Sequence, residues 1–404
     1  MRNIAIIGGG AAGFFAAITA KTEEPEAVVT IFERAGRVLA KVGVSGGGRC
    51  NLTNSFAEIA DLKTAYPRGA QLMKRLFKTF DYRDVYKWFE DRGVKLVTQA
   101  DECVFPRSQD SQSIIDCLTH TAQKAGVSVC LHHALTSISK VEDSEQLEVR
   151  FKDKAPRRFD KVIITTGGSP RAAGLEYLVH LGHKIEQPVP SLFTFNIKEK
   201  AFCNLMGTVV EHASLSIPAT KFRSTGALLI THWGLSGPAT LKLSSYAARY
   251  LAEQDYKAQV AVNWVNERNV QIVEEQLMAL ALKNPKKQVA TLRPFDLPSR
   301  LWEYLLQRSG IAETKRWEEL GKKSLHKLIE VLTNDMHTIA GKGSFREEFV
   351  TCGGVSLKSI NPNTLESKVC SGLYFAGEVL DIDAITGGFN LQAAWTTGRI
   401  AGKK

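Results

Sequence analysis

Residues 4–7 form an uncharged apolar run, and only Gly8, Gly9 and Gly10 separate it from a helix-favouring run of small residues that begins at Ala11. Apolar positions without alternation predict a strand buried on both faces of a parallel sheet. A second apolar run, 27–32, follows the predicted helix and ends at Glu33. The order strand, glycine turn, helix, strand predicts a βαβ unit. Further along, Leu72, Leu76 and Phe80, then Val85 and Phe89, recur at helical spacing within 62–92, which predicts two helices packed on the sheet. Short strands are expected at 94–96 and 103–105, with Pro106 ending the second. A helix is expected over 111–125 and a strand over 127–133. Residues 147–151 read as a hairpin strand, and 161–165 as a return to the parallel sheet.

The pattern changes after His183. Residues 193–197, 213–217 and 227–230 are short alternating segments separated by turn residues, as expected of an antiparallel sheet or barrel. Ser236 and Pro238 suit the start of a helix over 241–251. A further strand is expected at 260–265. Helical spacing then dominates 266–333, with segments at 270–282, 298–309 and 324–333. The last stretch, from Glu348, regains the character of the first, with a strand at 373–375 and a helix from about 390 to 401. The predicted organisation is an α/β, Rossmann-like nucleotide-binding domain over 1–188 and 346–404. It is interrupted by a small antiparallel β-barrel (189–265 and 334–345) and a helical insert (266–333).

Composition adds bounds. A chain of 404 residues is long enough for two or three domains. No run of 18 uncharged apolar residues occurs, so no membrane span is expected. The chain enters a strand at once, so no signal peptide is expected. The seven cysteines are scattered, with no C-x-x-C pair, which suits a reducing cytoplasm. No His/Cys spacing suggests a metal. The net charge is +10, and 19 Lys/Arg against 12 Asp/Glu lie between Lys221 and Arg346. These charges are interspersed and no aromatic–basic stripe runs through them. A solvated basic face is therefore favoured over a nucleic-acid surface.

The candidate chemistry starts at the glycine turn. Gly8, Gly10 and Gly13 fit G-x-G-x-x-G, with Ala11 and Ala12 at the start of the helix. Gly8 would make the tight turn, Gly10 would admit a pyrophosphate, and Gly13 would let the helix sit close on the strand. Helix N-terminal N–H groups would then face the phosphates. Glu33, 20 residues after Gly13, can accept hydrogen bonds from an adenosine ribose. It argues against a 2′-phosphate there, although Arg34 follows it. The loop Ser45-Gly46-Gly47-Gly48-Arg49-Cys50-Asn51 can cradle phosphate or flavin through its backbone, with Arg49 and Lys41 supplying charge. Cys50 has no partner in a C-x4-C pair, so dithiol chemistry is not expected. Ala134 and Leu135 follow the strand expected over 127–133, where two-dinucleotide-domain flavoprotein folds place a residue over the adenine; simple core packing is the alternative. Thr166, Gly167 and Gly168 end a strand with bare backbone, as a ligand contact at the carboxyl end of a sheet requires. No second G-x-G-x-x-G follows a strand, so a separate NAD(P)H domain is not expected.

The combination IAIIGGGAAG, SGGGRCNLTN, THWGLSGPA and GLYFAGEVLDIDAITGGFNLQAAWTTGRIAG resembles the BaiN/RdsA-type family of NAD(P)/FAD-dependent oxidoreductases, which includes aminoacetone-oxidase-like flavoproteins. The resemblance covers nearly the whole chain. It implies an FAD domain of the two-dinucleotide-domain flavoprotein type. It implies Gly8, Gly10 and Gly13 at the pyrophosphate and Glu33 at the ribose. It also implies Gly377, Glu378, Gly388, Phe389, Asn390 and Leu391 near the ribityl chain and isoalloxazine. The helix from about Asn390 is expected to point its N-terminus at the N1–C2=O edge of the flavin.

The expected function is FAD-dependent hydride transfer to or from a small substrate held between the FAD domain and the inserts. NAD(P)H bound transiently, or a substrate amine, would be the donor. His232, beside Trp233 in a Gly/Ser-rich turn, is the best candidate for a catalytic acid or base, against a purely turn-structuring role. A flavoprotein that binds or modifies nucleic acid through its basic insert is the alternative, and a flavin-binding regulator without turnover is a third reading.

Overall fold

The computed structural model describes residues 1–343 and 350–403, which fall into two compact units. The first comprises Met1–Val189 and the chain from Val350 onward; the second runs from Pro190. The expected return to the nucleotide fold at 345/346, and Glu348, lie outside the described residues.

The first unit is built on a five-stranded parallel sheet in the order Leu373–Phe375, Lys161–Ile164, Asn3–Ile7, Val28–Phe32, Ser128–Cys130. Ile6 lies between Ile163 and Ile31, and all three are fully buried, as strands covered on both faces must be. The chain leaves Asn3–Ile7 for Val28–Phe32 on one side and places Lys161–Ile164 on the other. The carboxyl end of the first strand is therefore a topological switch point, where open α/β sheets bind ligands.

The helix Ala11–Glu23 has ten consecutive buried residues, Ala11 to Ala20. It is apolar nearly all round because the sheet covers one side and the closing helix Phe389–Gly402 covers another. Small residues make that second contact. A Cβ on Gly398 would lie 2.5 Å from the Ala12 carbonyl oxygen, and one on Gly402 would lie 2.5 Å from that of Ala16.

Several elements differ from the pattern read in the sequence. The stretch 62–92 holds three helices, Leu62–Ala65, Ala70–Leu76 and Tyr82–Glu90, not two. Gly69, at φ +82°, starts the second, and Asp81 caps the third through the Arg83 and Asp84 N–H groups. The strand expected over 127–133 shortens to Ser128–Cys130, because His132 turns the chain at φ +56°. Leu135–Lys140 joins Leu147–Phe151 and Arg157–Phe159 in a three-stranded antiparallel sheet. Ile185–Ser191 pairs with Val350–Val355, a strand hidden in the sequence by Pro188 and Pro190. The helix expected over 241–251 is two, Pro238–Tyr246 and Ala248–Glu253.

The second unit is a closed six-stranded antiparallel barrel. Its order is Phe195–Ile197, Gly234–Ser236, Arg223–Thr231, Val209–Ser216, Ala258–Asn263, Asp335–Lys342, and the last strand pairs back with the first. Closure leaves no open sheet edge. Helices Val270–Lys283, Ser299–Arg308 and Lys322–Thr333 share one core with it: Leu277, Trp302, Leu305 and Leu332 are buried together with Phe195, Leu228, Val260 and Trp264. At their seam the buried Asp335 carboxylate is held by Arg308, by His337 Nε2 at 2.9 Å and by Trp264 Nε1 at 3.1 Å.

The small-residue contact at Gly398 yields a prediction. Gly398→Val forces the closing helix off Ala12 and should cost about 1–3 kcal/mol. Denaturant unfolding should show the midpoint falling accordingly; an unchanged midpoint would show that this contact does not hold the helices together.

Candidate functional site

The glycine turn assigns a separate position to each of its glycines. Gly8, at φ +115°, lies against the Thr165 backbone, and a Cβ there would clash with it. Gly13 packs on the Gly8 carbonyl, with Thr165 Oγ1 2.9 Å from where its Cβ would sit. Thr165 Oγ1 also donates to the Gly8 carbonyl at 2.8 Å and to that of Ile7 at 3.0 Å. Among the described residues, nothing lies within 4 Å of the Gly10 Cβ position, so its backbone is open on that side. No side chain caps the Ala11–Glu23 helix, and its first turn carries no acidic residue. Its first N–H groups are therefore free to meet an anion, with the favourable end of the helix dipole behind them.

Glu33 spans the turn. Its Oε2 accepts the Gly9 N–H at 2.8 Å and its Oε1 accepts the Ala35 N–H at 2.8 Å. Each oxygen keeps a further lone pair for a ribose hydroxyl. Arg34 is exposed. Ala134 and Leu135 follow His133, whose N–H bonds the Glu33 carbonyl at 2.8 Å, and both are half-buried beside this segment.

A second group gathers around Glu378. Its Oε1 accepts the Thr351 N–H at 2.8 Å, and its Oε2 pairs with Lys41 Nζ at 2.8 Å. Gly168 lies against both partners: a Cβ there would sit 2.6 Å from Glu378 Oε1 and 2.6 Å from Thr351 Oγ1. Gly167, at φ +75°, has only Glu378 within 4 Å of its Cβ position among the described residues, and Thr166 is exposed. Gly377 faces Ala12, with 3.0 Å between its Cβ position and the alanine methyl, and its N–H bonds Thr397 Oγ1. The structure thus brings the turn 8–13, the loop 166–168, Lys41 and Glu378 to one end of the sheet.

The loop 45–51 has mixed exposure. Gly46 and Gly47 take left-handed φ of +58° and +69° inside a 3-10 turn, and among the described residues nothing lies within 4 Å of the Gly47 Cβ position. Ser45 Oγ bonds the Val42 carbonyl. Arg49 lies over the Phe105 ring at 4.3 Å and bonds Gly46 O and Gln109, so its guanidinium ties the loop to the segment 105–109. Cys50 is fully buried, and burial pushes its thiol up to about 12. Its side chain is closed off by the protein, so any cofactor contact there falls to the backbone.

The closing helix is tied to this loop. Asn51, with its amide oriented to satisfy both neighbours, donates to the Thr53 carbonyl at 3.0 Å and accepts the Gly388 N–H at 3.3 Å. Gly388, at φ +86°, approaches the Thr53 carbonyl so closely that a Cβ would clash with it. Within the chain, the close approach at Gly388 is to Thr53. Phe389 is buried, with Tyr66 donating to its carbonyl at 2.9 Å. The Asn390 amide is held on Ala384 N and O, and Leu391 is half-buried. Thr53, Gln392 and Thr396 form a buried chain of hydrogen bonds ending on the Phe80 carbonyl.

The sequence reading missed Thr165, Thr351, Thr53 and Gln392. Thr165 stands beside the Thr-Gly-Gly signal and was within reach; a lone threonine or glutamine in a strand or helix carries no signal. His232 belongs to the second unit. It is exposed in the turn between two barrel strands, edge-on to Trp233 at 4.4 Å, and its ring has no hydrogen-bond partner among the described residues.

A switch-point glycine turn, an uncapped helix and a carboxylate on the next strand define a Rossmann-type dinucleotide site. Backbone bare at Gly10, Gly47 and Gly167 fits a long cofactor such as FAD. The chain belongs to the HI0933-like Rossmann-domain family, whose model matches residues 2–404. It is a flavin-dependent oxidoreductase of that family, with FAD as cofactor. The chain is 29% identical to a 3-dehydro-bile acid delta(4,6)-reductase of Clostridium scindens, covering 100% of this chain and 98% of that protein. It is 27% identical to a ribosomal RNA dihydrouridine synthase of Haemophilus influenzae, covering 97% and 95%. Among solved structures, the 3-ketosteroid-delta4-(5alpha)-dehydrogenase of Rhodococcus jostii shares the fold, with TM-score 0.50 at 14% identity over 100% of this chain and 97% of that one. No helix among the described residues is long and apolar enough to cross a membrane.

Burial of Cys50 sets an expectation. A thiol raised to about 12 stays protonated at pH 8, and the thiolate is the nucleophile. Iodoacetamide at pH 8 should leave Cys50 unmodified in the folded protein and modify it in denaturant, as read by peptide mass spectrometry. Rapid labelling of Cys50 in the folded protein would overturn this account of the loop.

Proposed function

We propose that the protein uses non-covalent FAD to reduce a carbon–carbon double bond conjugated to a carbonyl in a small substrate, with a reduced nicotinamide as electron donor. The observation that carries the reading is the full-length likeness to a reductase named for this kind of bond. A Δ4 double bond in a 3-oxo steroid is conjugated to the carbonyl, and so is the uracil double bond lost in dihydrouridine. The same two-hydrogen addition therefore relates both relatives. When bound, the flavin supplies the two-electron redox chemistry.

The chain's own residues supply binding and orientation. We assign the first-turn N–H groups of Ala11–Glu23 and the bare backbone at Gly10 to the pyrophosphate, and Glu33 to the adenosine ribose. The backbone of 45–51, with 166–168, Gly377 and Glu378, is assigned to the rest of the cofactor. Ala134 and Leu135 are assigned to the adenine. The N-terminus of the closing helix, Gly388 to Leu391, is assigned to the pyrimidine edge of the flavin. Positive partial charge there is worth about 0.3–1 kcal/mol to an anion and would raise the reduction potential. His232 remains the candidate proton donor. Two competing assignments of the chemistry are a substrate amine as donor and a regulator without turnover.

A second reading has its own support. Two relatives, from Haemophilus influenzae and Escherichia coli, are ribosomal RNA dihydrouridine synthases, each 27% identical over 97% of this chain. In that reading the substrate is a uridine within RNA, and the basic excess between Lys221 and Arg346 helps to hold the strand.

Anaerobic mixing of the purified protein with NADH or NADPH tests the proposal. Either nicotinamide should bleach the flavin, and a 3-oxo-Δ4 steroid or a uridine-containing RNA should restore its colour. Cofactor released by heat should chromatograph as FAD. His232→Ala should lower the rate of reoxidation but not of reduction. Recovery of FMN, or bleaching by amines and by neither nicotinamide, would overturn the proposal.

A further inference from the structure

The second unit carries a cavity of about 240 Å³ on the outside of its barrel, lined by residues of three adjacent strands, by Arg268 and by the end of the helix Lys322–Thr333. Strand alternation decides which side chains reach it. Leu215 and Val262 point inward and are fully buried in the core. Their neighbours Ser214, Ser216 and Asn263 take the opposite face. Cross-strand pairing sets Thr225, Ser214 and Asn263 in one row and Arg223, Ser216 and Ala261 in the next.

The segment after the third strand brings a second guanidinium. Asn263 bonds the Glu267 carbonyl through Nδ2 at 2.8 Å and accepts the Val265 N–H through Oδ1 at 3.2 Å. That local turn presents Arg268 to the cavity. Among the described residues, Arg223 and Arg268 have no ion-pair or hydrogen-bond partner, and the hydroxyls of Ser214, Ser216 and Thr225 have no hydrogen-bond partner. Among the described residues, the lining includes no carboxylate. The nearest acidic groups along the chain are occupied elsewhere. Glu267 accepts the Asn269 N–H, and Asp335 is held by Arg308, His337 and Trp264.

A concave site with two unneutralised guanidiniums, three free hydroxyls and no facing carboxylate is complementary to a compact oxyanion. We infer that this cavity binds a phosphate group, carried either by a free nucleotide or by an RNA backbone. The inference stands on the barrel alone and holds whichever substrate the flavin site takes.

The test uses the FAD-loaded full chain. Inorganic phosphate, AMP and an oligouridylate are titrated calorimetrically at constant ionic strength, with chloride as control. Wild type should bind inorganic phosphate. Arg223→Gln and Arg268→Gln should each weaken that binding about tenfold, as expected for loss of one charge-assisted hydrogen bond. Ser216→Asp, which sets a carboxylate in the cavity, should abolish it. Flavin loading should be unchanged in all three, which shows that they fold. Tighter binding of oligouridylate than AMP assigns the phosphate to RNA; the reverse order assigns it to a nucleotide. Absence of phosphate binding by wild type, or equal binding by the variants, would overturn the inference.

Discussion

The contact between Gly13 and the carbonyl of Gly8 is the constraint on which the first unit depends. It lets the Ala11–Glu23 helix start directly above the end of the first strand, and Thr165 completes the junction from the neighbouring strand. Because the helix sits this close, its uncapped N-terminus faces the open backbone at Gly10. Because the turn is this tight, Glu33 can reach the Gly9 N–H from the next strand. A side chain at Gly13 would separate the strand, the helix and the carboxylate at one stroke.

The rest of the candidate site is assembled from distant parts of the chain. Glu378, from the C-terminal segment, holds Lys41 and the Thr351 N–H. The closing helix is fastened to the loop at 51–54 by Asn51, Gly388 and the buried hydroxyl–amide chain through Thr53, Gln392 and Thr396. Such a buried network is stabilising only when every member is paired, and here each passes its hydrogen bond on. The loop and the helix N-terminus are thereby presented as one surface.

The parallel sheet, the glycine turn and the closing helix were legible because each has a local signature: apolar runs, fixed glycine spacing, a small-residue helix. The barrel was legible as short alternating segments. Less visible were elements made by tertiary context. Ile185–Ser191 is a strand despite two prolines, and Leu135–Lys140 is a half-exposed, polar strand that only its partner defines. Side-chain engagement was also hidden. Arg49 and Lys41 read as cations for a phosphate; within the chain one lies over Phe105 and the other pairs with Glu378. Gly388 read as a point of approach to a ligand, and its closest neighbour is Thr53. Spacing in a sequence shows where backbone is bare; it does not show which neighbour uses it.

The central claim is that Glu33 and the glycine turn form the adenosine half of an FAD site. Titration of FAD and of FMN into deflavinated protein, wild type and Glu33→Ala, tests it most directly. The account predicts FAD affinity at least about tenfold weaker in the variant, the value of one lost charge-assisted hydrogen bond or more, with weak FMN binding unaltered. Equal FAD affinity in the two proteins would contradict it.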